Sequence, residues 1–246
     1  MAFNSLMTKA VISIRHEIIN STKNPTVIEL GNQRFRTDKK LKEKVYGILG
    51  ISSSNPTSVK EFYESIGFKK YLAIDVNTEK DAIALDLNLD LKKDCNYNEQ
   101  YNLVTNNGTG EHIFNQYTVF KNVHDLCKSG GLMIHNLPFT GYIDHGFYNF
   151  HPNLFVELAR SNKYAMKELW IGTSDGNRIE KIDIAAGYYK NNDFVKRFDM
   201  NAWNQNLLVV AIMKKENNNE FKMPFQNMYD GDIADLSIKA RYEKDQ

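Results

Sequence analysis

The sequence predicts a doubly wound α/β domain: a mostly parallel sheet of seven strands with helices on both faces. Three observations carry this expectation. Short apolar, β-branched segments at residues 26–30, 71–74, 81–87, 101–105 and 132–134 alternate with stretches whose apolar residues recur at three- and four-residue steps. Residues 101–152 read as strand, polar turn, helix and strand, one βαβ unit. Acidic or amide side chains follow the carboxyl ends of several of these strands, where open α/β sheets bind their ligands.

Taken in order, residues 5–20 set Leu6, Ala10, Val11, Ile14 and Ile18 on one face of an amphipathic helix. Residues 26–30 form the first strand, apolar apart from Thr26 and Glu29, and Gly31 ends it. About 24 residues then precede the next helix, long against the usual connection of roughly 2–6, so residues 32–55 read as an insertion and a candidate lid. The helix at 57–67 turns Val59, Phe62, Tyr63 and Ile66 inward and stops at Gly67. The second strand ends in Asp75 and the third in Asp86 and Asn88. The fourth runs into Asn106, Asn107 and Gly108. A helix with Ile113, Tyr117, Phe120, Val123 and Leu126 on one face follows, stopped by Gly130-Gly131 before the fifth strand. A helix at 153–162 and strand candidates at 164–172 and 205–213 complete the pattern, with a second polar insertion at 174–203. Residues 1–215 thus read as one domain and 216–246 as a polar, loosely attached tail.

Composition excludes several function classes. Thirty-one basic residues against 30 acidic ones give a net charge of +1 with no block of like charge, so no field invites nucleic acid or an anionic membrane. No run approaches the roughly 20 apolar residues that span a bilayer. Cys95 and Cys127 stand alone, outside any CxxC pair, which fits a reducing compartment; with no signal-peptide pattern at the start, a cytoplasmic protein is expected. Oligomeric state leaves no trace in the sequence.

Glu29, Asp75 and Asp86 end successive strands. A carboxylate after the second strand can accept both hydroxyls of a ribose, and a group after the third can read an adenine edge. Together they form the footprint of an adenosine-containing small molecule, although each acid taken singly is more simply a helix cap or a solvated group. The GxGxxG fingerprint of dinucleotide enzymes and the phosphate-binding P-loop are absent.

The segments VIELGNQRF, YLAIDVN, AIALDLN and LVTNNGTGEHIFNQ…LCKSGGLMIHNLP resemble the successive motifs of class I S-adenosylmethionine-dependent methyltransferases. The likeness runs over residues 26–172 and is strongest over 71–138. It implies a Rossmann-like methyltransferase sheet, S-adenosyl-L-methionine as cofactor, and methyl transfer to an oxygen or nitrogen nucleophile of a small-molecule acceptor. By that resemblance Glu29, Gly31 and Asn32 belong beside the methionine part, Asp75 at the ribose, and Asp86 with Leu87 at the adenine. Asn106, Asn107 and Gly108 belong on the sulfonium side. The sequence departs from the family's pattern after Gly31, where Asn32, Gln33 and Arg34 replace the usual further glycines and would crowd a close approach of backbone to ligand. Asn32 tolerates a left-handed backbone. The alternative is therefore a protein of the same fold that no longer catalyses and serves as a binding or scaffold subunit.

Candidates for acceptor chemistry lie after the fifth strand: His135, Tyr142, Asp144, His145, Tyr148 and His151. An imidazole near neutral pKa can take a proton from a hydroxyl or amine. His145 is the expected base, oriented by Asp144 or Tyr148; the plainer reading is that these side chains tie a long loop to the domain. Glu111-His112 opens the following helix, where an acid suits the helix dipole whatever the function. A metal set of His135, His145 and His151 matches no ligand spacing, and no metal is expected.

Overall fold

The computed structural model describes residues 2–51, 56–77, 79, 82–182, 206–226, 231 and 233–243. Ten strands and seven α-helices are assigned among them. β1 (Ala2–Phe3) and α1 (Ser5–Ser21) are followed by β2 (Thr26–Leu30), β3 (Arg34–Phe35), α2 (Lys39–Leu49) and α3 (Val59–Ser65). Next come β4 (Lys70–Asp75), β5 (Ala82–Ala84), α4 (Leu91–Asp94), β6 (Tyr101–Asn107) and a 3-10 turn at Gly110–His112. The remainder is α5 (Gln116–Leu126), β7 (Cys127–Thr140), α6 (Pro152–Asn162), β8 (Ala165–Gly172), β9 (Ile179–Lys181), β10 (Leu207–Lys214) and α7 (Leu236–Glu243).

Eight strands join one sheet in the order β5-β4-β2-β6-β7-β10-β8-β9. From β5 to β7 every pair is parallel; β10 lies antiparallel to both β7 and β8, and β9 antiparallel to β8. The seven expected strands are all present, with one addition: β9, on the edge, comes from the stretch read as the second insertion. Residues 183–203 of that insertion and 52–55 of the first lie outside the described residues, as does Asp81. Two apolar layers cover the sheet. Leu6, Val11, Phe62 and Tyr63 of α1 and α3 bury one face, while Leu91, Val123, Phe155 and Leu158 of α4, α5 and α6 bury the other. Among the described residues no helix is long and apolar enough to cross a membrane.

Three boundaries differ from expectation. The fourth strand continues through Asn106 and Asn107, so these amides belong to its end and not to a free turn. The fifth strand is fourteen residues long: the helix before it ends at Leu126, because Cys127 already adopts an extended backbone, and Gly130-Gly131 sit inside the strand. A Cβ on Gly131 would meet Cys127 Sγ and Lys128 O at 2.9 Å, so glycine permits the tight path where the register against β6 shifts. That longer strand carries His135 into the core. The third strand is correspondingly short, only Ala82–Ala84, leaving Asp86 and Leu87 in the turn beyond it.

The first insertion folds against the domain. β3 pairs with β1 in a small parallel sheet, Phe35 packs on Phe3 and Phe62, and α2 buries Val45 and Tyr46, whose hydroxyl meets Ser65 Oγ at 3.0 Å. Past β10 the chain stays docked: Lys222 N donates to Asn162 Oδ1 at 2.7 Å, and the Phe221 ring packs on His124. The chain runs from β2 outward to β4 and β5, then returns to place β6 on the opposite side of β2. That puts the topological switch point, where such sheets bind ligands, at the tips of β2 and β6.

Candidate active site

Gly31 turns the chain at the tip of β2 with φ 82°, and its N–H donates to Ile74 O at 2.7 Å. This left-handed turn suits glycine. Asn32 N then donates to Asp75 Oδ2 at 2.8 Å, while Asn77 donates to Asp75 Oδ1 through its backbone and its side-chain amide. Asp86 stands exposed at the neighbouring tip, its Oδ1 accepting from Asn88 N at 2.8 Å. Leu87 beside it is buried, and its carbonyl accepts from Thr118 Oγ1 at 3.0 Å. Gly31, Asn32, Asp75, Asp86 and Leu87 therefore share one rim.

Glu29 does not reach that rim. Strand alternation turns it to the opposite face from Ile28 and Leu30, into the layer beneath α3. It is fully buried there, and its carboxylate accepts from Tyr63 and Tyr71 hydroxyls at 3.1 Å and from Thr105 Oγ1 at 3.2 Å. Burial pushes its pKa up to about 7, against the pull of those three donors.

The switch point is filled by a side chain of the chain itself. Gln33, 6% exposed, donates from Nε2 to Asn107 O at 2.7 Å and to Thr109 Oγ1 at 3.2 Å, and its Oε1 accepts from Asn107 Nδ2 at 3.3 Å. Thr109 Oγ1 in turn donates to Leu30 O at 2.6 Å, closing the gap between β2 and β6. Asn106 is also turned inward: its Oδ1 accepts from Gly110 N at 2.9 Å and its Nδ2 lies 3.3 Å from His135 Nδ1.

Beside this junction a cleft of about 700 Å³ opens, lined among others by Arg34, Arg36, Asn107, Gly108, Glu111, Tyr142 and His145. Gly108 (φ 59°) directly follows β6 and lines the cleft. Gly141 (φ 75°) and Tyr142 (φ 54°) make a left-handed turn after β7, and His145 N donates to Tyr142 O at 3.2 Å. That turn folds His145 back over Glu111. The next residue, Gly146, approaches so closely that a Cβ there would meet Glu111 Cγ and O at 2.9 Å.

Glu111 has surroundings that the sequence did not reveal. It lies in the 3-10 turn before α5, with 0% exposure, and neither carboxylate oxygen has a hydrogen-bond partner among the described residues. Oε1 lies 3.6 Å from His145 Nε2 and 3.8 Å from His112 Nε2, and the two imidazole rings are 4.8 Å apart. Burial raises the Glu111 pKa to about 7 and lowers that of His112, whose neighbour His145 lowers it further. The only signal in the sequence was the adjacency of Glu111 and His112; nothing in the spacing joined them to His145.

The other candidates separate. Asp144 is exposed and does not line the cleft, and Tyr148 donates its hydroxyl to Phe114 O at 3.0 Å. His135 is 2% exposed between Phe120 and Phe155, and burial drops its pKa to about 3, so it is a neutral core residue. His151 occupies the N-cap position of α6 and packs on Phe139. The trio of His135, His145 and His151 is thus not brought together. The cluster that forms is Glu111, His112 and His145.

No protein-family model and no curated protein matches this sequence. Solved structures do. A SAM-dependent methyltransferase from Archaeoglobus fulgidus shares 12% identity over 83% of this chain and 93% of its own, with a TM-score of 0.41. The 1,6-didemethyltoxoflavin-N1-methyltransferase of Burkholderia thailandensis, with bound 1,6-didemethyltoxoflavin and S-adenosylhomocysteine, shares 12% over 87% of this chain and 80% of its own, at 0.43. The trans-methyltransferase CalH, in complex with SAH, shares 10% over 83% of this chain and 55% of its own, at 0.46.

Proposed function

We propose that this chain transfers a methyl group from S-adenosyl-L-methionine to an oxygen or nitrogen nucleophile of a small-molecule acceptor. The observation that carries the reading is the arrangement about the tip of β2: Asp75 ends β4 and Asp86 lies just beyond β5 on one flank, while the cleft lined by Gly108, Glu111 and His145 opens on the other. The rim fits the adenosyl half of the cofactor. Asp75 is only half-buried, and a carboxylate with about four lone-pair directions retains room for ribose hydroxyls beside the donors it already has. Asp86, exposed next to it, suits an exocyclic amine. At the methionyl half Gln33 stands where a glycine-rich turn would leave backbone bare.

S-adenosyl-L-methionine supplies an electrophilic methyl group on a sulfonium sulfur. The chain's part is to position the acceptor and receive its proton. His145 lies on the cleft wall, 41% exposed in its side chain, and is the proposed base. Glu111, 3.6 Å away, takes the orienting role expected of Asp144 or Tyr148. The Tyr142 ring, 5.5 Å from His145, walls the acceptor side.

Calorimetry with S-adenosylhomocysteine tests the reading. Saturable binding is expected, and Asp75→Ala should weaken it about 10-fold, the cost of roughly 1.4 kcal/mol of lost ribose contact. Gln33→Ala should act the other way, tightening binding by opening the junction. It should also cost about 1–3 kcal/mol of stability in a denaturant titration, because Asn107 and Thr109 lose a buried partner. A second reading, a non-catalytic binding or scaffold protein, is favoured by the same Gln33 plug. Absence of binding at millimolar ligand in both wild type and Gln33→Ala would select it.

A further inference from the structure

We propose that Glu111, His112 and His145 bind one divalent transition-metal ion of the Zn²⁺ class on the wall of the cleft. The inference does not rest on methyl transfer. One carboxylate oxygen and two imidazole nitrogens lie within 4.8 Å of one another. Ligand distances of about 2.0–2.2 Å place the donors of a tetrahedral ion roughly 3.3–3.5 Å apart. The Glu111–His145 and Glu111–His112 separations, 3.6 and 3.8 Å, are close to that spacing, and the two imidazole nitrogens, within 4.8 Å of each other, close the set by turning their rings inward.

A second observation points to a ligand independently of the spacing. Among the described residues both Glu111 oxygens are buried without a hydrogen-bond partner, a costly state for a carboxyl group when nothing compensates it. Elsewhere in the molecule the buried acid Glu29 receives three hydroxyl donors. Among the described residues Glu111 receives no such donor, and two imidazoles face it instead. The close packing of Gly146 on Glu111 leaves no space for the loop to carry a Cβ there, and this holds His145 against the carboxylate.

The donor chemistry selects the ion. Two nitrogen ligands and a single oxygen suit Zn²⁺ and its first-row neighbours, whereas Mg²⁺ and Ca²⁺ take shells of oxygen. Three protein ligands leave a fourth position open, and two of them, Glu111 and His145, line the cleft, as suits a site that uses its ion on a substrate and not a closed structural site. An imidazole that ligates an ion has no lone pair for a proton, so His145 is either a ligand or a base at any one moment.

The test is calorimetric titration of chelator-treated full-length protein with Zn²⁺, together with the shift in melting temperature on adding the ion. Expected are one saturable site and a rise in melting temperature. Glu111→Ala and His145→Ala should each weaken binding at least about 100-fold, beyond the roughly 10- to 100-fold that loss of an outer-shell partner costs. His151→Ala, a histidine of the same loop packed on Phe139, should leave the affinity unchanged. His145 is on an exposed loop, so its variant reports on the site even if Glu111→Ala fails to fold. No saturable site in the wild type, or equal affinity in wild type and His145→Ala, overturns the proposal.

Discussion

Replacing His145 with alanine is expected to lower turnover about 100- to 10,000-fold, the range a positioned proton acceptor supplies, while the affinity for S-adenosylhomocysteine stays within about 2-fold of wild type. The geometry gives the direction of both effects. His145 lines the cleft beside Glu111, whereas the rim of Asp75 and Asp86 belongs to the opposite flank of β2. Removing the ring takes away the proposed proton acceptor and leaves the strand tips as they are. A purely structural His145 would give another pattern: with its loop loosened, turnover and acceptor KM would change together, and an asparagine in its place would restore both. Steady-state kinetics with a methylatable acceptor, run beside calorimetry, separates the two. An unaltered kcat removes His145 from the chemistry.

The second large effect concerns stability. The folded state raises the Glu29 pKa from 4.5 to about 7, mainly by burial. A carboxyl whose pKa is higher folded than unfolded contributes stability that is complete below about pH 4.5 and lost as pH rises through about 7. The full difference corresponds to about 3 kcal/mol. Urea unfolding across pH 5 to 8 should therefore show a decline in wild type that Glu29→Gln reduces, because glutamine keeps an acceptor oxygen and cannot ionise; Glu111, also raised to about 7, supplies the decline that remains in both proteins. On the acid side His124 and His135, held near 4 and 3 by burial, destabilise the fold as pH falls below about 6.5. That limb is common to both proteins, so the difference between them isolates Glu29. Parallel wild-type and variant curves between pH 5 and 8 would mean that Tyr63, Tyr71 and Thr105 compensate the carboxylate fully.

The fold was legible because local pattern and global arrangement agree. The strand at 26–30 and the helix starting at Ser5 are hydrophobic patterns of unmistakable period, and the structure reproduces them within a residue. β9 was not legible: three residues, Ile-Glu-Lys, carry no period of their own and become a strand only because β8 offers an open edge. Gly130-Gly131 misled, because the same pair that ends helices also permits a tight path inside a strand. At the candidate site, the positions of Asp75, Asp86 and Gly108 at or just beyond strand ends were legible from the alternating pattern. Glu29 follows the same strand-end rule, yet side-chain alternation decides its face, and a single acid in an apolar run does not announce which side it occupies. Glu111 escaped because an acid before a helix already has a sufficient explanation, and its approach to His145 depends on the left-handed backbone at Gly141 and Tyr142.

The short outer strands bear on how the molecule meets others. The sheet ends in β5 on one margin and β9 on the other, each three residues long, while β7, its longest strand, is flanked on both sides. Unsatisfied ladder groups at a margin are what recruits a foreign strand into a growing ribbon, and a three-residue margin has too few of them to template one. The described sheet is therefore poorly suited to lateral polymerisation, and a protein companion of this domain would engage its helices and loops in preference to adding a strand.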